Sequence, residues 1–366
     1  MILRPIKTVA NLCDYLQTAI KLEHATIPPY LLALYSLRPG TNAAAYQQIR
    51  TVAIEEMLHL TLAANVLNAI GGTPNLTQAD FVPKYPAYLP NGETDFQVNL
   101  QSFSKETLEN FLQIERPARP VSNATRMIAR PTIAAGVQGE TFAEGTRILP
   151  TVQVDDGPAL HFWSIGEFYA EICRGMTYLE TEAMGRNQTI FVGDAKRQIT
   201  PEYYYSGGGT LTPVTNLKTA QEALRLISEQ GEGYDGGIFD HEGELSHYYR
   251  FEQLKLGRSY VPKNTPGNPS GEELKVDWDG VYRVKTNACL SDYPKDSELY
   301  NAVLDFRTTY QDLLACITQA LTGQPELLNP AVGDMFKLKE KFYRLMHNPM
   351  PGHDGLNAAP VFGPIS

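Results

Sequence analysis

Two copies of one short motif constrain this chain more than any other feature. The first is Glu56-Met57-Leu58-His59, inside IRTVAIEEMLHLTLAANVLNAIGG, Ile49 to Gly72. That stretch reads as one long amphipathic helix, because apolar or small residues recur at Ile49, Val52, Ala63, Val66 and Ile70 in three- and four-residue steps. Glu56 and His59 fall on the same stripe, about one turn apart. An ionised carboxylate on a face built for burial is costly unless something pairs it. A divalent metal is one such partner, and the neutral imidazole of His59 would be a second ligand from the same helix. A lone E-x-x-H arises by chance in many helices. The second copy, Glu244-Leu245-Ser246-His247 in FDHEGELSHYYRFEQL, changes the odds. There the face Asp240, Glu244, His247, Tyr248, Phe251, Leu254 again mixes polar with apolar. Two E-x-x-H helices, plus one Glu from each of two further helices, form the ligand set of a carboxylate-bridged dinuclear site in a four-helix bundle.

The remaining helices are sought on that template. Thr8 to Leu37 reads as the first, with the stripe Leu12, Leu16, Ile20, Glu23, Ile27, Tyr30 and Leu34, so Glu23 supplies one single carboxylate. Taken alone, Glu23 reads better as a salt-bridged or helix-surface residue. Pro28-Pro29 is expected to kink this helix or break its hydrogen bonds. Pro39-Gly40 ends it, and the short link implies an antiparallel hairpin with a second helix over 42–70. Ile165 to Glu182, capped by Ser164, is the third. Its apolar stripe does not include Glu167, so that residue is either the fourth carboxylate or solvated, with Glu171 one turn on as the substitute. Ile238 to Leu256 is the fourth, introduced by Gly236-Gly237. Residues 75–160 form a long insertion between the second and third helices, with one short helix at Ser104–Ile114 and β-prone pieces such as DFQVNLQSF and PTVQV. The Gly207-Gly208-Gly209 region, with a short helix near Thr219–Gln230, is expected to cover the mouth of the bundle. A C-terminal extension over 261–366 adds helices at Ser297–Leu321 and Ala331–His347 and an extended tail. The expectation is one elaborated, mainly α domain over 1–366.

Composition narrows the functional classes. A formal charge of −10 disfavours nucleic acid and anionic membranes as partners. No stretch approaches the length of a membrane span, and the N-terminus lacks the apolar core of a signal peptide. Cys13, Cys173, Cys289 and Cys316 are scattered, which suits reduced thiols and a cytoplasmic setting.

The stretches LEHATIPPYLLALYSL, VAIEEMLHLTLAANVLNAIGGTPNL, SIGEFYAEI, GELSHYYRFEQL and NPMPG together resemble one family. It is the ferritin-like domain of iminophenyl-pyruvate dimer synthases, from violacein- and rebeccamycin-type biosynthesis. The resemblance runs from the first helix to the C-terminal tail. It implies a ferritin-like four-helix bundle with a long crossover insertion and extra C-terminal helices, and a metal-ligand set at Glu23, Glu56, His59, Glu167, Glu244 and His247. It also implies non-haem iron, as one or two ions, in specialised biosynthesis rather than in a storage cage. Carboxylates and imidazoles suit iron and leave positions open for dioxygen, with manganese as the alternative metal. The first functional expectation is an oxidase or oxygenase acting on a small amino-acid-derived substrate. The alternatives are an imine-coupling enzyme, or a bundle that holds metal without turnover. Association with copies of itself is compatible with each. Tyr30, Tyr169 and Tyr248 are expected near the pocket, where most buried tyrosines only pack.

Overall fold

The computed structural model describes residues 4–118, 160–204, 207–233 and 237–363. Eight α-helices lie among them: α1 Val9–Ser36, α2 Ala43–Ala69, α3 Lys105–Ile114, α4 Ile165–Met184, α5 Leu217–Glu232, α6 His247–Leu256, α7 Glu298–Leu321 and α8 Leu328–Met346. Among the described residues, extended segments pair only as isolated bridges, such as Ala87 with Val98, and the β-prone DFQVNLQSF forms no strand. PTVQV lies outside the described residues.

Local chemistry sets the helix ends. Thr8 caps α1 by accepting the Asn11 N–H, and Ser104 and Ser164 do the same for Thr107 in α3 and Glu167 in α4. Helix α2 closes on Gly71 at φ +82°, with the Gly72 N–H reaching back to Leu67 O and the Gly71 N–H to Asn68 O. Such a left-handed residue satisfies the last carbonyls of a helix and favours glycine. Helix α1 runs through Pro28 and Pro29 without interruption. Pro29 cannot donate to Ala25 O, and the Tyr85 hydroxyl donates to that carbonyl instead at 2.8 Å.

The four long helices that pack around one another are α1, α2, α4 and α5: α1 contacts α2 and α4, and α5 contacts the same two. The fourth place in the bundle therefore goes to α5, not to the 238–256 stretch. In that stretch only His247–Leu256 is helical. The preceding residues turn back on themselves, with Phe239 bridged to Leu245 and Asp240 Oδ1 accepting the N–H groups of Glu242 and Glu244. An aspartate that bonds its own following backbone, together with Gly243 at φ +86°, stabilises a turn over a helix. The short α6 packs on α2, α3 and α5, and its first residue, His247, meets Glu55 and Glu56 half-way along α2. Helices α7 and α8 pair with each other and lie against α2 and α1 respectively. The tail closes over them, with Phe362 against Phe306, Tyr310 and Phe342.

Candidate metal centre

Five buried side chains converge where α6 and α3 meet the bundle. Ligand atoms of Glu23, Glu56 and His59 lie within 4.8 Å of one another, and so do those of Glu56, Glu115 and His247. Glu56 belongs to both groups. Its Oε1 is 2.9 Å from His247 Nδ1 and 3.8 Å from His59 Nδ1. Glu23 Oε2 lies 3.5 Å from His59 Nδ1, and Glu115 Oε2 lies 3.4 Å from His247 Nδ1. The two imidazoles are stacked, with centroids 5.3 Å apart.

The other atom of each ligand is held from outside. Tyr169 donates to Glu23 Oε1 at 2.5 Å, Thr26 donates to Glu56 Oε2 at 2.9 Å, and Tyr30 donates to Glu115 Oε1. His59 Nε2 meets Gln230 Oε1 at 2.9 Å, and His247 Nε2 meets Glu55 Oε2 at 2.9 Å. An acceptor at Nε2 places the ring proton there, which turns a Nδ1 lone pair towards the carboxylates. His247 Nδ1 is buried and faces Glu56 Oε1 and Glu115 Oε2 without a well-aligned hydrogen bond to either. A buried nitrogen left open towards two carboxylates fits a shared cation between them. Three carboxylates and two imidazoles are a donor set for a transition metal that accepts oxygen and nitrogen ligands.

The electrostatics agree with that donor set. Burial, then the Glu115 and Glu23 carboxylates, push the Glu56 carboxyl well above the usual carboxylate range. Burial opposes charge on His247, but Glu115, Glu55 and Glu56 together raise it well above an ordinary histidine. Burial likewise opposes ionisation of Glu23, and its contacts with His59 outweigh that and lower it. Protons thus answer the crowding of negative charge here, and a divalent cation would answer it by displacing them.

Of the six residues the sequence nominates, the structure brings together Glu23, Glu56, His59 and His247. It places Glu167 and Glu244 elsewhere. The Glu167 carboxylate accepts the Trp163 N–H at 2.9 Å at the start of α4, where an acidic group answers the exposed N–H groups. Its substitute Glu171 pairs with Arg174 and accepts the Ile6 N–H. Glu244 sits before α6 rather than on it, with its side chain 68% exposed beside Arg250. Glu115, which the sequence reading passed over, takes the remaining position as the residue that ends α3. Its signal was present: Leu108, Phe111, Leu112 and Glu115 continue one buried stripe. Gln230 likewise continues the stripe Ala223, Ile227 of α5. Tyr248 packs edge-on to Tyr249 and is not held against any of the five clustered side chains by a hydrogen bond among the described residues.

A family model described as ferritin-like matches residues 16–256, and the chain belongs to that family. It is 22% identical, across 98% of its length, to dichlorochromopyrrolate synthase of Lentzea aerocolonigenes. It spans 36% of that relative's length. A crystal structure of a ferritin-like protein from Caulobacter vibrioides at 1.95 Å resolution shares the fold, with a TM-score of 0.61 at 21% identity, covering 98% of this chain and all of that one. Among the described residues no helix is long and apolar enough to cross a membrane.

Proposed function

We propose that this protein is a non-haem iron enzyme of specialised biosynthesis that oxidises a small amino-acid-derived metabolite with dioxygen. One observation carries the reading: a single carboxylate oxygen, Glu56 Oε1, faces the Nδ1 atoms of two histidines whose opposite nitrogens are both held by acceptors. Glu23, Glu56 and His59 would hold one ion, and Glu56, Glu115 and His247 a second. Bound there, iron supplies redox and Lewis-acid chemistry. Tyr169, Tyr30 and Thr26 fix the carboxylates, and Gln230 and Glu55 fix the imidazoles. Manganese is the alternative ion for the same donors. The four free cysteines are in keeping with work in the cytoplasm.

A second reading is imine or enamine coupling, with the metal as Lewis acid or redox centre. It is supported by the similarity to dichlorochromopyrrolate synthase across nearly the whole chain. Product formation from an amino-acid imine separates it from the first. A bundle that holds metal without turnover would show neither.

Elemental analysis after anaerobic reconstitution should find about one or two iron ions per chain, and oxygen exposure should change the absorption spectrum. Wild-type protein that takes up no iron, or Glu56→Ala protein that takes up as much as wild type, would sink the proposal.

A further inference from the structure

Beside the five-residue cluster, α2, α5 and the turn before α6 enclose a cleft of about 320 Å³. That is the size of a small-molecule site. Glu55 and Gln230 line it, and these are the two groups that hold the outer nitrogens of His247 and His59. Among the described residues that line it, Arg250 is the only cation.

Arg250 stands one turn beyond His247 in α6 and is only 7% exposed. Its contacts are long: Nη1 to Gln48 Oε1 at 3.4 Å, Nη2 to Glu244 Oε2 at 3.3 Å and Nη2 to Glu55 Oε1 at 3.6 Å. Its Nε is buried and has no hydrogen-bond partner among the described residues. Charge-assisted bonds of guanidinium to carboxylate usually run to about 2.7–2.9 Å, and a buried cation without them is costly. Nε and Nη2 share the edge of the guanidinium that a carboxylate takes with both oxygens. Glu244 reaches only one of the two, from an exposed turn.

We propose that Arg250 recognises the carboxylate of a small amino acid or a close derivative in this cleft, and that Glu244 is a displaceable stand-in for it. The proposal rests on reading the adjacent cluster as the reaction centre. A ligand carboxylate on the Nε–Nη2 edge would complete the fork that Glu244 leaves half made. Asp240 and Glu242 also line the cleft and offer negative charge to the amino end of the same molecule. The ligand would rest against Glu55, a single side chain removed from His247.

The test is binding of L-alanine and of L-alaninamide, which lacks the carboxylate, to the purified full chain, read by saturation-transfer NMR, with metal content measured on the same samples. L-alanine should bind more tightly than the amide. Arg250→Gln should weaken L-alanine binding roughly tenfold or more, the usual effect of losing a charged hydrogen-bond partner. Glu244→Gln, at an exposed position where folding is not at stake, should tighten it about two- to fivefold by removing the competitor. A purely structural role for Arg250 would not give that gain. Equal binding of acid and amide, or L-alanine binding that neither substitution changes, overturns the proposal. Either of those results in protein that carries its metal leaves the metal-centre reading standing. Wild type that takes up no iron on anaerobic reconstitution but still binds L-alanine through Arg250 would sink the metal centre and keep the recognition site.

Discussion

At the scale of single residues, each inner side chain of the cluster is held by an outer group. Tyr169→Phe removes the donor on Glu23 Oε1, and Gln230→Leu removes the acceptor on His59 Nε2. Each should weaken metal binding about 10–100-fold, measured by competition with a chelator, while the fold persists. His24 gives a different prediction. It is buried against Tyr310, and burial lowers it from the ordinary 6.5 to about 3. Its folded-state value is depressed, so between those two limits the unfolded chain binds the proton that the folded chain refuses. Stability contributed by neutral His24 is therefore complete above pH 6.5 and falls as the pH drops towards 3. His24→Gln should flatten that fall by roughly 1 kcal/mol per pH unit in urea unfolding series between pH 6 and pH 5. The inner residues of α1 and α2 were legible in the sequence, because Glu23, Glu56 and His59 interrupt regular apolar stripes of long helices. Glu115 and Gln230 were less so, since a polar residue at the last turn of a short helix looks like an ordinary helix end.

At the scale of elements, the decisive difference between pattern and structure is the length of α6. The periodicity of Asp240, Glu244 and His247 is real in the sequence, but Asp240 and Gly243 build a turn, and only His247 enters the helix. The second E-x-x-H therefore delivers its histidine to the cluster and its glutamate to the cleft. The glycine run shows the same dominance of backbone chemistry. A Cβ on Gly208 would stand 2.9 Å from Glu55 Cγ and 3.1 Å from its Cα, at a φ of +78°. The same residue's carbonyl accepts from Gln230 Nε2. Gly208→Ala should lift this loop from α2 and lower stability by about 1–3 kcal/mol, read as a fall in Tm. It should also slow metal retention, because Glu55 and Gln230 lose their common neighbour.

At the scale of the whole molecule, the C-terminal tail reinforces the helices that flank the bundle. Phe362 of the tail packs edge-on to Phe306 and Tyr310, and Tyr310 reaches His24, next to Glu23 in the chain. Phe362→Ala should cost about 2–4 kcal/mol in denaturant unfolding, as for other large buried aromatics. The overall class was readable because four long amphipathic segments and a long insertion leave few other folds. Which later segment completes the bundle was not, because the helical spacing over 238–256 is interrupted by the turn at Asp240 and Gly243, and packing gives the place to α5. The donors are also unequally distributed along the chain: three sit on a single hairpin, and the other two arrive on separate short helices from residues 115 and 247. A first ion could thus settle on the hairpin before the rest of the chain has docked, and a second would have to wait for it. Stepwise titration with ferrous iron should then show two unequal uptake phases, and the slower should vanish in Glu115→Ala while the faster survives.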